Sequence, residues 1–465
     1  MGVTLIEAVH MDKMSIYRRL PVWAQNMACS FEGGRIVRTR YGEGFRRALA
    51  EYESRDAWSF ERMCEYRDAR LREMVRHAYD TVPYYKRLFD EGGISPDSIR
   101  TLSDLSALPI LTKDTVKANR EQLISTAVPE SERRIHATGG TTGAGLSFVT
   151  TEQEETEQWA VWWRYRRRFG MDTDVWCGNF GGKVVADLSQ TKPPFWRVNR
   201  PGKQYFYSGY HICRANAPAY AEHMKSVGLQ WIHGYPSNLS GLAECLNDLG
   251  ITVPMKWVST GAENLYDHQR KSIEKAFGTT PYQHYGLTEG VANISMNTSG
   301  RLAVDEDYCC VEFLPSDEPD VYRIIGTTLT HRAMPLLRYD TGDLAVIRPG
   351  EISGNGRAVE RVSGRTAEYV ELPGGARVGT AAISLIINRF DCISTMQIVQ
   401  RAVDALDVNI ITSAAPEEFP TDELQAALHE RFGSGMQCTV NFVDSLRKTE
   451  SGKQRLVISE MERGK

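Results

Sequence analysis

The chain has 465 residues, which is more than one hydrophobic core usually serves, so two or more domains are expected. Its apolar content of 42% and charged content of 25% are ordinary for a globular protein. The formal net charge of −4 gives no general attraction to nucleic acid or to an anionic membrane. Small molecules and other proteins are therefore the expected partners.

The cysteines and the apolar runs are typical of a cytoplasmic protein. Nine cysteines are scattered along the chain, and the one close pair is Cys309 and Cys310, so neither a disulfide framework nor a metal-binding knuckle is indicated. The first residues lack a basic-then-apolar signal segment. No apolar run approaches the roughly 20 residues of a membrane-spanning helix. We expect a cytoplasmic protein with no membrane span and no nucleic-acid partner.

The first 130 residues are predicted to be mainly helical. Apolar residues recur at helical spacing over Leu71–Ala78, and Asp80–Pro83 interrupts the pattern. Gly92-Gly93 marks a helix end, and Thr112 is the predicted N-cap of a later helix. The simplest interpretation of these helices is scaffolding.

From about residue 131, strand-like and helical stretches alternate, which favours an α/β fold. The runs Met255–Val258 and Val321–Ile325 are predicted strands. Turn-forming residues are concentrated in Val362–Arg365 and Leu372–Ala376, and they indicate a domain boundary. We predict a large N-terminal domain over residues 1–366, helical over residues 1–130, and a small C-terminal domain over residues 367–465.

The C-terminal domain is predicted to be an α+β unit. Strands are indicated over Met396–Val399, Val408–Ile411 and Thr439–Val443, around a helix that begins near Thr421. A unit of this size behind a flexible boundary is suited to act as a mobile lid.

A glycine- and threonine-rich segment is the first candidate for chemistry. It consists of Thr138, Gly139, Gly140, Thr141, Thr142 and Gly143. Flexible backbone and hydroxyl groups suit a loop that wraps a polyphosphate with N–H groups and side-chain donors. It is not a Walker loop, because no lysine follows the last glycine. An ordinary turn is the alternative.

The segment Tyr285-Gly-Leu-Thr-Glu289 follows the strand-like stretch Pro281–His284. It places the Thr288 hydroxyl and the Glu289 carboxylate where a strand gives way to a loop or a helix. Such a carboxylate can hold Mg²⁺, which prefers hard oxygen ligands and keeps several waters and phosphate oxygens. Capping of a helix by the same two side chains is the alternative.

Asp343 and Lys453 are two further charged candidates. Asp343 closes the run Arg338-Tyr-Asp-Thr-Gly-Asp343, and its carboxylate can accept hydrogen bonds from both hydroxyls of a ribose. An Asx turn is the alternative there. Lys453 follows a Ser-Gly turn, where a lysine can neutralise charge that shifts during a reaction. A solvated basic tail is the alternative for Lys453.

Taken together, these four segments occur in the order and spacing of the adenylate-forming enzymes. The chain most resembles their phenylacetate-CoA ligase-like branch, including its capsular-polysaccharide-biosynthesis relatives. The resemblance also covers the helical stretch Leu71–Tyr85, the segment Pro109–Lys113 and the segment His233–Ser237.

The resemblance implies an α/β adenylate-forming domain with a mobile C-terminal lid. It implies that ATP, Mg²⁺ and a small, possibly aromatic, carboxylic acid react to an acyl-adenylate, and that the acyl group then passes to an acceptor, with coenzyme A favoured. Lys453, Glu289 and Thr288 are the catalytic residues it implies, with Glu289 also the magnesium ligand. The nucleotide site it implies comprises the glycine-rich segment with Gly261, Ala262, Glu263, Tyr285, Asp343 and Arg365, and the acid pocket comprises Tyr235, His284 and Gly286. Phe180 and Trp231 are further candidates for the acid pocket, with burial in a core as the alternative.

This chain departs from relatives that hold a structural zinc. In those relatives a Glu-Cys…His segment and a Cys-x-Cys-Gly-Arg segment supply the ligands, whereas here the corresponding stretches are Ser295–Ala303 and Ser353–Arg357. Structural zinc sites need about four such ligands. We therefore expect no zinc.

Two other functions fit the sequence. The acceptor can instead be an amine, such as an amino sugar, or a carrier protein, which would make the chain an amide-forming or carrier-loading ligase. The chain can also be a nucleotide-binding pseudoenzyme, since a fold does not fix a function. Against the pseudoenzyme, the charged positions Glu289, Asp343, Arg365 and Lys453 are all filled.

Overall fold

The computed structural model describes residues 17, 19–137, 146–263, 265, 267–316, 320–348, 357–363, 369–379, 383, 386–387, 389–390, 392–412, 414–443, 446–447 and 455–461. The described residues form ten α-helices and five β-sheets. The helices are α1 Val22–Arg40, α2 Glu43–Ser54, α3 Phe60–Thr81, α4 Pro83–Gly92, α5 Lys113–Ala118, α6 Glu152–Arg167, α7 Ala217–Ser226, α8 Pro236–Asp248, α9 Asp267–Phe277 and α10 Thr421–Phe432.

The strands are short, and most lie in the central part of the chain. They are β1 Arg134–Ala137, β2 Ser147–Thr150, β3 Cys177–Phe180, β4 Trp196–Asn199, β5 Gln204–Tyr207, β6 Trp231–Gly234, β7 Trp257–Thr260, β8 Tyr282–Gly286, β9 Asn293–Met296, β10 Leu302–Val304, β11 Cys309–Pro315, β12 Val321–Thr328, β13 Tyr339–Val346, β14 Ala358–Val359, β15 Arg361–Ser363, β16 Tyr369–Glu371, β17 Arg377–Gly379, β18 Ile393–Ala402, β19 Ala405–Thr412, β20 Gln437–Phe442 and β21 Val457–Ser459.

A nine-stranded sheet in the order β14-β10-β9-β8-β7-β6-β3-β5-β4 forms the centre of the molecule. Its strands β5, β3, β6, β7 and β8 are mutually parallel, and antiparallel strands close both edges. A separate antiparallel sheet has the order β11-β12-β13-β15. The alternation of parallel strands with helices confirms the predicted α/β class.

The predicted helical pattern is confirmed for the described residues up to 130. Helix α3 buries the apolar stripe that contains Leu71 and Ala78, both with 0% exposure. Helix α4 ends at Gly92, and Gly93 adopts the left-handed conformation with φ of 60° that suits a helix end. Thr112 caps α5 by accepting a hydrogen bond from the backbone N–H of Thr115. The strand predicted at Met255 begins two residues later, at Trp257.

The C-terminal residues build a further four-stranded sheet with its own core. This sheet has the order β20-β19-β18-β21, and α10 packs against it through Leu424 and Leu428. The three strands and the helix predicted here are confirmed. The stretch Leu372–Ala376 is the turn of the hairpin β16–β17. The boundary between residues 366 and 367 lies outside the described residues and stays a prediction.

Buried ion pairs join the N-terminal helices to the turn between β10 and β11. Arg164 on α6 has 1% exposure and donates to the carboxylates of Asp305 and Asp307 over 2.7–2.9 Å. Arg55 also donates to Asp307, over 2.7 Å. Burial alone would raise the pKa of Asp307, but the guanidinium groups of Arg164 and Arg55 hold it below its ordinary value. The Asp307 carboxylate is thus an ionised partner of two buried arginines.

Replacement of Arg164 by Ala is expected to destabilise the protein by about 3–5 kcal/mol, because it leaves two buried carboxylates without their main cation. Arg167→Ala is the matched control on the same helix. Arg167 is 40% exposed and pairs with Glu53 and Asp172 at the surface, so its loss is expected to cost at most about 1 kcal/mol. Urea unfolding of both variants measures the difference. Equal losses would show that the buried network does not stabilise the fold.

Candidate active site

The candidate residues meet at one edge of the central sheet. The parallel strands β3, β6, β7 and β8 end at Phe180, Gly234, Thr260 and Gly286. The first three ends pair in register, and β8 extends three residues beyond its pairing with β7. Segments that leave these strand ends carry Tyr235, Gly261–Glu263 and Leu287–Glu289. Ligands of parallel α/β sheets bind beyond the carboxyl ends of the strands. The topology therefore places these segments where a ligand is expected.

Tyr285 and Asp343 form a direct pair at this edge. The Tyr285 hydroxyl donates to Oδ2 of Asp343 over 2.8 Å, although the two residues lie on different sheets. Burial, followed by the Asp343 carboxylate, raises the pKa of Tyr285 well above its ordinary value, and the Glu289 carboxylate contributes in the same direction. Tyr285 thus remains a protonated donor, and two carboxylates lie within electrostatic reach of it.

The turn that carries Thr288 and Glu289 is fixed from two sides. Nε2 of Gln158, on α6, donates to the carbonyl oxygen of Leu287 over 2.8 Å. On the other side the buried ring of His331 lies against Gly290, which has a φ of +65°. A Cβ at Gly290 would lie 2.4 Å from the His331 ring, so only glycine fits. Burial lowers the pKa of His331 to about 4, so the ring is neutral.

The segment after β7 brings Glu263 close to Tyr235. Ala262 has a φ of +66°, a conformation that non-glycine residues adopt mainly where the surrounding structure imposes it. Burial, and then the Glu263 carboxylate, raises the pKa of Tyr235 to about 12. Tyr235 precedes the first residue of α8, Pro236. Residues predicted for the nucleotide and for the acid are thus neighbours at the carboxyl ends of β6 and β7.

His284 faces the opposite side of β8 from Tyr285. Its ring stacks on Tyr165 with centroids 5.4 Å apart, and its Nε2 is 2.8 Å from Oδ1 of Asn293. Burial lowers the pKa of His284 to about 3. A Cβ at Gly286 would lie 2.7 Å from the same ring. Gly286 therefore permits the close approach of His284, and the predicted role of both residues in the acid pocket remains a prediction.

Phe180 and Trp231 belong to the hydrophobic cores. Phe180 has 0% exposure and stacks on Tyr207 with ring centroids 4.7 Å apart. Trp231 is also buried and donates from its indole to Oγ of Ser259 over 2.8 Å. Burial in a core was the alternative to a role in the acid pocket, and both residues are buried in this way.

Three parts of the predicted site lie outside the described residues. They are the segment Thr138–Gly143, Arg365 and Lys453. The strands that flank the first of them are described: β1 and β2 pair antiparallel, and Ala137 lies opposite Ser147. His136, near the end of β1, is within electrostatic reach of His331. The end of β1 therefore lies near the turn that carries Glu289.

Two local predictions are wrong. Strand β8 does not stop at His284 but continues through Gly286, because Tyr285 and Gly286 pair with β9. Asp343 lies within β13 and not in a turn before a strand. The Asx turn belongs to Asp340, whose Oδ1 accepts a hydrogen bond from the N–H of Gly342 over 3.0 Å. The carboxylate of Asp343 is thereby left to face Tyr285.

Gln158 and His331 were missed by the sequence analysis. Gln158 lies four residues beyond Glu154 in α6, and no local pattern distinguishes its side chain from others on a helix face. His331 follows Thr328–Thr330, and this run matches no motif either. Both residues position backbone, so their role depends on contacts between distant parts of the chain.

Glu289 is the residue of the site that suits a magnesium ion. Mg²⁺ is usually held by one or two carboxylates together with phosphate oxygens of a substrate, so a single carboxylate is sufficient. Within the part of the chain that the structure describes, no three His, Cys, Asp or Glu side chains cluster as an all-protein metal site.

Among the described residues, no helix has the length and apolar character needed to cross a bilayer.

Comparison with known proteins gives a consistent relationship. Residues 371–460 match the CapK C-terminal domain family. Protein CapK of Staphylococcus aureus is 25% identical over 455 residues, which cover 96% of this chain and 98% of that protein. Phenylacetate-coenzyme A ligase of Escherichia coli K12 is 31% identical over 324 residues, 66% of this chain and 71% of the ligase.

A solved structure supports the same fold. The 2-hydroxyisobutyryl-CoA ligase in complex with 2-HIB-AMP and CoA superimposes with a TM-score of 0.52 and 17% identity, covering 87% of this chain and 91% of that one. At this identity the similarity concerns the fold, in which a C-terminal domain follows the large α/β domain.

Gly290→Ala tests the constraint on the Glu289 turn. Gly278→Ala is the control, because Gly278 has a similar φ of +73° but a Cβ added there would have no atom within 4 Å. Each change costs about 1 kcal/mol for the left-handed backbone. Gly290→Ala is expected to cost about 1–3 kcal/mol more, because its Cβ meets the His331 ring. Urea unfolding gives both values, and equal values would contradict the packing of His331 on this turn.

Proposed function

The chain belongs to the phenylacetate-CoA ligase-like branch of the adenylate-forming enzymes, and from that premise we propose that it activates a small carboxylic acid with ATP. ATP-dependent acid activation and ligation to coenzyme A are activities of this family. The observation that carries the proposal is the convergence of Tyr285, Asp343 and Glu289 at the carboxyl edge of the central sheet. These groups suit a nucleotide and a magnesium ion.

The proposed first step is attack of the acid's carboxylate on the α-phosphorus of ATP. A bond forms between a carboxylate oxygen and the phosphorus, the bond to the β-phosphate oxygen breaks, and pyrophosphate leaves. Such a step needs in-line placement and stabilisation of charge. Asp343, held by the Tyr285 hydroxyl, accepts the ribose hydroxyls, and Tyr285 forms a wall of the site. Thr288 donates to the α-phosphate from the turn that Gln158 supports.

Glu289 would hold the magnesium ion, which neutralises phosphate charge when bound. We assign Lys453 to the charge that moves between the carboxylate and the α-phosphate, because a lysine on a lid can enter after the substrates bind. The segment Thr138–Gly143 supplies backbone donors to the β- and γ-phosphates. Arg365 joins Asp343 at the ribose.

The proposed second step transfers the acyl group to the thiol of coenzyme A. The sulfur forms a bond to the acyl carbon and the thiol proton passes to water, the bond from that carbon to the AMP oxygen breaks, and AMP leaves. An amine acceptor would react in the same way and give an amide, and it is the alternative. Tyr235 and Glu263 lie where the acid and the nucleotide would join.

The C-terminal domain is docked close to this place. Nη1 of Arg431, on α10, donates to the carbonyl oxygen of Gly182 and, over 2.6 Å, to the hydroxyl of Tyr210. The charge of Arg431 also reaches Tyr235. Arg377, on β17, lies 3.5 Å from Glu244 of α8. We assign these contacts to one docked position of the lid, which would open or rotate between the two steps.

A screen of carboxylic acids tests the proposed function. The purified protein is incubated with MgATP and single acids, including phenylacetate and short hydroxy acids, and pyrophosphate release is measured. At least one acid is expected to cause pyrophosphate release. Lys453→Ala is expected to reduce that release by a factor of about 10² or more, because the variant lacks the ammonium group that stabilises charge in the transition state. Lys448→Ala is the control on the same segment.

The acceptor is then identified by adding coenzyme A, or an amine, to the protein charged with the active acid. Formation of a thioester supports coenzyme A, and formation of an amide supports the alternative. Nucleotide binding without acid-dependent pyrophosphate release from any acid would favour the pseudoenzyme.

Tyr285→Phe tests the pairing with Asp343. The substitution keeps the aromatic wall but removes the hydroxyl that orients the carboxylate, so ATP affinity is expected to fall by about tenfold or more, since a hydrogen bond to a charged group contributes about 1.5–3 kcal/mol. Tyr282→Phe on the same strand is the control, because Tyr282 packs on Phe169. Calorimetric titration with ATP measures both. Unchanged affinity in Tyr285→Phe would remove the pair from the nucleotide site.

A further inference from the structure

A cavity lies on the same side of the central sheet as Tyr285. Its volume is about 340 Å³, and four arginines line it, namely Arg270, Arg301, Arg348 and Arg361. Its floor is apolar: Met296, Leu302 and Val359 are each less than 10% exposed. A volume of this size is at the small end of the range for ligand sites.

The charge of this arginine-lined cavity is opposite to that of the whole chain. Among the lining residues that the structure describes, four arginines and one acidic residue, Glu360, give 4 − 1 = +3, whereas the chain carries −4. Glu360 pairs with Arg348 over 3.2 Å, and Arg301 also has an interaction partner of its own. Like charges gathered in a concave site repel one another, and a bound anion would offset that repulsion.

Arg270 supplies the second observation. It lies in the first turns of α9, and its Nε is buried without a hydrogen-bond partner among the described residues. A buried donor without a partner is costly, because it has lost its hydrogen bond to water. This atom is closed to solvent, so the Arg270 side chain would have to turn toward the cavity to donate to a ligand there.

The cavity adjoins the candidate nucleotide site but does not include it. Alternate residues of a strand face the same side, so Gln283, which lines the cavity, lies about 7 Å along β8 from Tyr285. The ring of His284 between them faces α6, where it stacks on Tyr165. Arg348 follows β13, the strand that carries Asp343. A ligand in the cavity would therefore lie next to a nucleotide bound at Tyr285 and Asp343.

We propose that the arginine-lined cavity binds the phosphate group of a small molecule other than the ATP held at Tyr285 and Asp343. Guanidinium groups bind phosphate oxygens through paired, charge-assisted hydrogen bonds. A net charge of +3 matches a multiply charged phosphate or pyrophosphate better than a single carboxylate. The site is separate from the adenylation chemistry, so it does not depend on the proposed function.

Inorganic pyrophosphate is the probe, with the full-length protein saturated by a non-hydrolysable ATP analogue so that the nucleotide site is filled. Calorimetric titration is expected to show pyrophosphate binding that persists under these conditions. The double variant Arg301→Gln/Arg361→Gln is expected to weaken it by about tenfold or more, as for the loss of charge-assisted hydrogen bonds. Both arginines are exposed, so the variant is expected to fold.

Arg214→Gln/Lys225→Gln is the matched control, since it removes two exposed positive charges from another part of the surface. Binding that is retained in this control and in Asp343→Ala supports the proposal. The proposal is overturned if the analogue displaces all pyrophosphate, if the cavity variant binds as tightly as the unmodified protein, or if the control loses as much affinity. Acetate that competes as well as inorganic phosphate would overturn the assignment to phosphate.

Discussion

The position of helix α6 depends on one buried arginine. Arg164 is held between Asp305 and Asp307, and Arg55 shares the second of these carboxylates. A buried ion pair of this kind is not a large source of net stability, since removing the charges from water is costly. It does disfavour other placements of the helix, because any placement that separates the charges leaves them buried and unpaired.

Helix α6 in turn orients the candidate site. Gln158, less than two turns before Arg164, holds the backbone at Leu287, and Trp162 donates to Oδ1 of Asn293 over 3.0 Å. Asn293 is also hydrogen-bonded to His284 and to Asp305. One helix therefore connects the ionic network to the His284 side of β8 and to the turn that carries Glu289.

The sequence predicts those features whose cause is local. The buried stripe of α3, the glycine at the end of α4 and the cap at Thr112 each follow from spacing or backbone preference within a few residues. The order of four short motifs also identified the family. Their roles in binding remain predictions.

Features that depend on tertiary contacts could not be predicted. Arg164 and Asp305 are 141 residues apart, and nothing in either local pattern links them. The length of β8 was underestimated because its last residues are strand only through pairing with β9. Asp343 was assigned to a turn because Thr-Gly precedes it, whereas β13 continues through it across a shift in its register with β12.

Two buried arginines illustrate how partner chemistry separates a permanent contact from a reversible one. Arg164 is bound by carboxylates, so moving it would strand buried negative charge. Arg431 of the C-terminal domain is 4% exposed, yet its hydrogen bonds to the rest of the protein go to a carbonyl and a hydroxyl, at Gly182 and Tyr210. Among the described residues, undocking would return its charge to water and leave neutral groups behind. The free energy of that exchange is smaller, which fits the lid movement proposed above.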